Sequence, residues 1–219
     1  MECRGNTSRK VQGERHPLRL GPHSSDAGYS LIELIVSLVL SLIILGGAVT
    51  VFSSALGSRT RETSTGDAVT SAQAALNIVS REVGNAGYGL VTNGIVLTDS
   101  TDKKLHIRTN TNNQNALTDG PGEDVTFYYD SNSQSVVRYD SNTGLASGVI
   151  NRVSDVDFVY HNYASDGTVT TGSAAANTGK ITIKLQVILE DIEGQPGGRI
   201  VSVNSDVTLR NSPYQLGQY

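Results

Sequence analysis

From Leu31 to Phe52 the chain runs for 22 residues with a single ionisable side chain, Glu33. As a helix that stretch is roughly 30 Å long, about the hydrocarbon thickness of a bilayer. The fold must therefore accommodate an apolar helix that belongs in lipid or in a protein core. A carboxylate in such a span costs on the order of 2–3 kcal/mol at mid-bilayer depth and less towards the interface. Glu33 is accordingly a candidate functional group, and it follows an unusual junction, Ala27-Gly28-Tyr29-Ser30.

Charge is distributed unevenly about this run. Residues 1–28 carry Arg4, Arg9, Lys10, Arg15 and Arg19 against Glu2, Glu14 and Asp26, a net +2. The remainder carries −6, within a total of −4. Basic residues ahead of a span and an acidic domain after it predict a cytoplasmic N-terminus. An acidic remainder without a basic cluster beyond residue 61 argues against nucleic acid as a partner, because phosphate binding needs a basic patch. The single cysteine, Cys3, lies ahead of the junction. A chain shortened there would hold no thiol for a disulfide, a nucleophile or a metal.

Three readings compete for the first 56 residues. A secretory signal has an apolar core of about 7–15 residues followed by a small-residue cleavage site. Ser53-Ser54-Ala55 could serve as that site, but the apolar run is longer and holds an acid. A plain single-pass anchor fits the length and leaves Glu33 and Gly28 without a role. The third reading rests on a family: Gly28-Tyr29-Ser30-Leu31-Ile32-Glu33-Leu34 resembles the type IV prepilin processing site. The resemblance implies a leader, 1–28, removed by prepilin peptidase, and Gly28 and Tyr29 as the processing residues. Tyr29 becomes the N-methylated first residue of the mature chain, where Phe is commoner in the family. Glu33 becomes the fifth mature residue, the family's assembly charge. A leader of 28 residues is longer than the family's usual one.

The physical rationale for that charge is direct. In a filament core of low dielectric an unpaired charge is strongly disfavoured. The free amine of Tyr29 on one subunit and Glu33 on another would neutralise each other there. Glu33 also lies in the first turn of its helix, where the dipole favours an anion, and merely capping the helix end is its other reading.

Beyond the span, Gly57-Ser58-Arg59-Thr60-Arg61 marks an exit at the interface. Ala68, Val69, Ala72, Ala75, Leu76, Val79 and Val83 then recur at spacings of three and four, an amphipathic stripe. Gly84, Gly87 and Gly89 end it. From about residue 90 the period becomes two, most clearly in Ile181-Thr182-Ile183-Lys184-Leu185-Gln186-Val187, the pattern of a half-buried antiparallel strand. Further strands are predicted at Gly94–Thr98, Lys104–Arg108, Asp124–Tyr129, Ser135–Tyr139, Asp155–Tyr163 and Arg199–Arg210. Asp130-Ser131-Asn132-Ser133 and Asp140-Ser141-Asn142-Thr143-Gly144 are turn chemistry. Residues 164–179 read as a long flexible loop.

Three later segments also carry a resemblance. Arg81–Gly89 resembles the close of the long helix in PilW-type minor pilins. Asn151–Tyr160 is similar to a strand that those proteins share with the J-type pseudopilins of type II secretion, and Val207–Asn211 is similar to their closing strand. The implied fold is α+β and pilin-like: a long N-terminal helix packed on an antiparallel β-sheet head. The implied division is a leader at 1–28, a transmembrane and assembly helix at 29–56, an amphipathic continuation at 57–89 and a β-rich head at 90–219. The implied function is that of a minor pilin that initiates or caps a pilus. Its partners would be prepilin peptidase, other minor and major pilins, and the inner membrane before assembly. A J-type pseudopilin, or a membrane-anchored periplasmic binding domain outside any filament, are the alternatives.

Catalytic chemistry finds little footing. His106 and His161, the two histidines after the junction, each sit in a strand-like segment and are expected to be surface or half-buried groups rather than ligands. The glycines at 84, 87 and 89 follow no strand and form no dinucleotide loop. Asp140–Gly144 resembles part of a calcium loop but has Asn151 where the bidentate Glu belongs, so a hairpin turn is expected there. Tyr128, Tyr129, Tyr139, Tyr160 and Tyr163 are expected as core or sheet-surface aromatics, with a ligand-binding aromatic face as the other reading. No catalytic residue, metal or cofactor is assigned.

Overall fold

The absence of proline between residues 31 and 84 lets one helix, α1, run without interruption from Leu31 to Gly84. The computed structural model describes residues 28–112, 117–191 and 197–217. The leader expected at 1–28 lies outside them apart from Gly28. The chain divides into two compact units, 1–52 and 53–219. The described part of the first is an exposed junction and the apolar start of α1, whose large side chains are exposed throughout.

The second unit is built on the remainder of α1 and eight strands. β1 (Lys104–Arg108), β2 (Asp124–Asp130), β3 (Ser135–Asp140) and β4 (Leu145–Asn151) form an antiparallel meander in chain order. β5 (Val153–Tyr163), β6 (Val169–Gly172), β7 (Thr178–Ile188) and β8 (Ile200–Thr208) form a second sheet in the order β6-β5-β7-β8. Arg152, at φ 59°, is the left-handed residue at which the chain crosses from one sheet to the other.

The amphipathic stripe explains where the helix packs. Ala72, Ala75, Leu76, Val79 and Val83 are buried and join one core with Leu105, Ile107, Val125 and Phe127 of the first sheet. The same core takes in Val156, Phe158, Ile181, Ile183 and Leu185 of the second. Each large apolar side chain so buried contributes about 1.5–3 kcal/mol. Polar ties add direction: Arg138 Nε donates to both Glu82 carboxylate oxygens at 3.0 and 2.9 Å, and Ser80 meets Ser205 at 3.1 Å. α1 ends at Gly84 and turns follow through Gly89. Gly87 and Gly94, at φ 79° and 77°, pass so close that a β-carbon on Gly94 would fall on the Gly87 backbone nitrogen. Asn93 lies between them, fully buried, with its amide donating to the carbonyls of Ala175, Ala176 and Thr178.

Two strand expectations and one loop expectation need correction, and one strand is additional. Gly94–Thr98 is not a strand: it makes one bridge, Ile95 to Ile107, and then a 3-10 turn at Leu97–Asp99. It nevertheless lies along the free edge of β1, with Val96 N–H on the His106 carbonyl and Arg108 N–H on the Gly94 carbonyl. Residues 164–179 are not one loop, because β6 pairs with β5 from Tyr163–Val169 to Tyr160–Gly172. β4 was not expected at all. β8 is shorter than Arg199–Arg210, ending at Thr208.

Candidate functional site

Glu33 is placed by the start of α1. Ser30 is the capping residue: its hydroxyl accepts from the Glu33 backbone N–H at 3.2 Å, and its carbonyl accepts from Leu34 N–H at 3.1 Å. Ser30-Leu31-Ile32-Glu33 is the pattern of a capping box. The spacing of Ser30 and Glu33 carries that signal in the sequence. Only the Ser30 half of the box forms, however. The Glu33 carboxylate is exposed and makes no hydrogen bond or ion pair among the described residues. The helix start is thus satisfied by Ser30, and the acid is left available.

Gly28 and Tyr29 precede the cap without regular structure. Tyr29 is 77% exposed. A β-carbon at Gly28 would meet nothing within 4 Å, so the fold itself makes no demand for glycine there. Gly28, Tyr29 and Glu33 are therefore exposed together at the head of an apolar helix.

The head holds a second polar assembly that the sequence reading did not join up. His106 Nδ1 lies 2.8 Å from Asp99 Oδ2 and its Nε2 2.6 Å from Asp124 Oδ1. Lys104 Nζ reaches Asp99 at 2.6 Å, and Arg108 Nε reaches Asp124 at 2.7 Å. The hydrogen bond from Lys104 is the main cause that holds the Asp99 carboxyl below its ordinary range. Burial would raise Asp124, but hydrogen bonds from His106 and Arg108 outweigh it and the carboxyl is lowered. His161 stands apart, half-buried, with Nε2 at 2.8 Å from the Thr182 hydroxyl, which donates to Asp206 at 2.6 Å. Burial, followed by the Lys180 charge, lowers its pKa. Among the described residues no three His, Cys, Asp or Glu side chains converge on a metal position.

A comparison with protein families matches residues 23–49 to the prokaryotic N-terminal methylation motif. The match supports a type IV pilin-like protein. It spans Gly28, Tyr29, Glu33 and the first turns of α1 as far as Val49. One long helix packed on antiparallel sheets is consistent with an α+β pilin fold. No curated protein and no solved structure matches the chain. The motif implies processing by prepilin peptidase and assembly with other pilins. With the apolar start of α1, the described helix long and apolar enough to cross a membrane, it fits inner-membrane anchoring with a periplasmic or extracellular head. Motif and fold together suggest a structural rather than a catalytic chain.

Proposed function

We propose that the chain is a PilW-like minor type IV pilin that takes part in initiating or capping pilus assembly. Prepilin peptidase cuts between Gly28 and Tyr29, the new amine is methylated, and residues 29–56 hold the subunit in the inner membrane. The N-terminus faces the cytoplasm before assembly. Residues 57–89 carry the stalk into the head at 90–219. During assembly Glu33 pairs with the Tyr29 amine of a neighbouring major or minor pilin. The observation that carries this reading is the methylation motif set at the head of an apolar helix whose first-turn carboxylate has no partner among the described residues. Asn151–Tyr160, most of which lies in β5, resembles a strand common to PilW-type pilins and J-type pseudopilins, so a secretion pseudopilus is the second reading.

Glu33→Ala tests the charge. Leaving an amine unpaired in a low-dielectric core costs about 3–5 kcal/mol, so incorporation into sheared filaments should fall more than tenfold. Cleavage after Gly28 should continue. Wild-type incorporation of Glu33→Ala would remove the charge-pairing role. Recovery of the wild-type chain only from periplasmic pseudopili would favour the second reading.

A further inference from the structure

We propose that the outer face of the first sheet is a binding groove for an uncharged sugar. The proposal concerns the head alone and does not depend on the assembly reading.

The groove follows from register. Leu105, Ile107, Val125 and Phe127 are buried in the core, so their neighbours in β1 and β2 stand on the opposite face. Lys104 pairs with Tyr128 and His106 with Thr126, while Thr126 pairs in turn with Tyr139 of β3. These side chains, with Asp99 and Ser141, line an open groove of about 560 Å3. That volume lies within the range of small-ligand sites, about 300–1,000 Å3.

The electrostatics favour a neutral occupant over an ion. Every charge in the groove is opposed within the protein. Lys104, Asp99, His106, Asp124 and Arg108 form one continuous chain at 2.6–2.8 Å. Lys103 is held between Asp155 and Asp157, at 2.6 Å from each. An anion approaching Lys104 would also meet the Asp99 carboxylate, and an amine approaching Asp99 would also meet the Lys104 ammonium.

Hydroxyl groups are what remain. The Thr126, Tyr128 and Tyr139 hydroxyls have no hydrogen-bond partner among the described residues. Tyr128 and Tyr139 are diagonal neighbours across β2 and β3, a relation that places them about 7–8 Å apart. The tyrosines thus supply two apolar ring surfaces, each with a donor–acceptor tip. Asp99, 43% exposed at its side chain, keeps lone pairs to accept further donors. Apolar faces edged by neutral donors and acceptors are the chemistry of a pyranose ring. The ion-paired strand β1 fixes the floor on which it would lie.

The test uses the full chain in micelles of a detergent without a sugar headgroup. N,N′-diacetylchitobiose, cellobiose and lactose are titrated by saturation-transfer NMR and calorimetry. At least one should bind saturably, with Kd on the order of 0.1–1 mM. Tyr128→Ala and Tyr139→Ala should each weaken binding about tenfold, the loss of a stacking surface. Tyr128→Phe, which keeps the ring and the packing, should weaken it by roughly two- to tenfold, the worth of one hydrogen bond. Tyr88→Ala, at an exposed tyrosine outside the groove, should leave binding unchanged. The proposal is overturned if none of the three binds saturably, if binding survives all three groove substitutions, or if sialyllactose binds more tightly than lactose.

Discussion

Asp130-Ser131-Asn132-Ser133-Gln134 and Asp140-Ser141-Asn142-Thr143-Gly144 build the same turn twice. In each the aspartate Oδ1 accepts from the N–H two residues on, at 3.1 Å, and in each the fifth residue is left-handed. Turn chemistry was legible from the Asp and Asn positions. The fate of Asp140 was not, because its other oxygen takes Gly122 N–H at 2.8 Å from a distant loop, and the Asn142 amide is spent on the Thr118 and Gly120 carbonyls. Those bonds tie the hairpin to the loop at 118–122. The difference between the two turns is that Gln134 occupies φ 48° where Gly144 has φ 69°. A side chain in that region costs roughly 1–2 kcal/mol, against about 0.5–1 kcal/mol of extra backbone entropy for glycine. Gln134→Gly should therefore raise unfolding stability by several tenths to about 1 kcal/mol in urea melts. A loss of stability would show that Gln134 makes a compensating contact.

Element identity was readable wherever one face is buried. α1 and β7 declare their periods because buried apolar residues recur at spacings of three and four in Ala72–Val83 and at every second position in Ile181–Val187. β4 does not: five of its seven residues are exposed, and its register with β3 shifts between Val136 and Val137, so no period forms. β6 is a four-residue edge with every position exposed. Gly94–Thr98 misled in the other direction. Its apolar residues suggested a strand, while the positive φ of Gly94 and the approach of Gly87 turn the chain after one bridge. That contact is a test of how the helix exit is held. Gly94→Ala would push a methyl into the Gly87 and Arg108 backbones and should cost about 2 kcal/mol or more, whereas Gly144→Ala meets open space and should cost about 1–2 kcal/mol, the left-handed penalty alone. Equal losses in denaturant titrations would contradict the close packing of the helix exit.

For the molecule as a whole, the sequence carried the architecture and the processing motif, and it carried the candidate assembly charge as a single residue. It did not carry the ionic chain at His106, whose partners stand seven residues before and 18 residues after it and meet only through the β1–β2 register. Nor did period and charge reveal that Ser30 satisfies the helix start while the Glu33 carboxylate has no partner among the described residues. On the proposed assembly role, that division of labour gives the acid in an apolar run a partner on a second chain. The central claim is that the chain is processed as a prepilin, and mass spectrometry of its mature N-terminus tests it most directly. The account predicts a terminal peptide beginning at N-methylated Tyr29. A terminus at Ser30, at Leu56 or at an intact Met1 would contradict it.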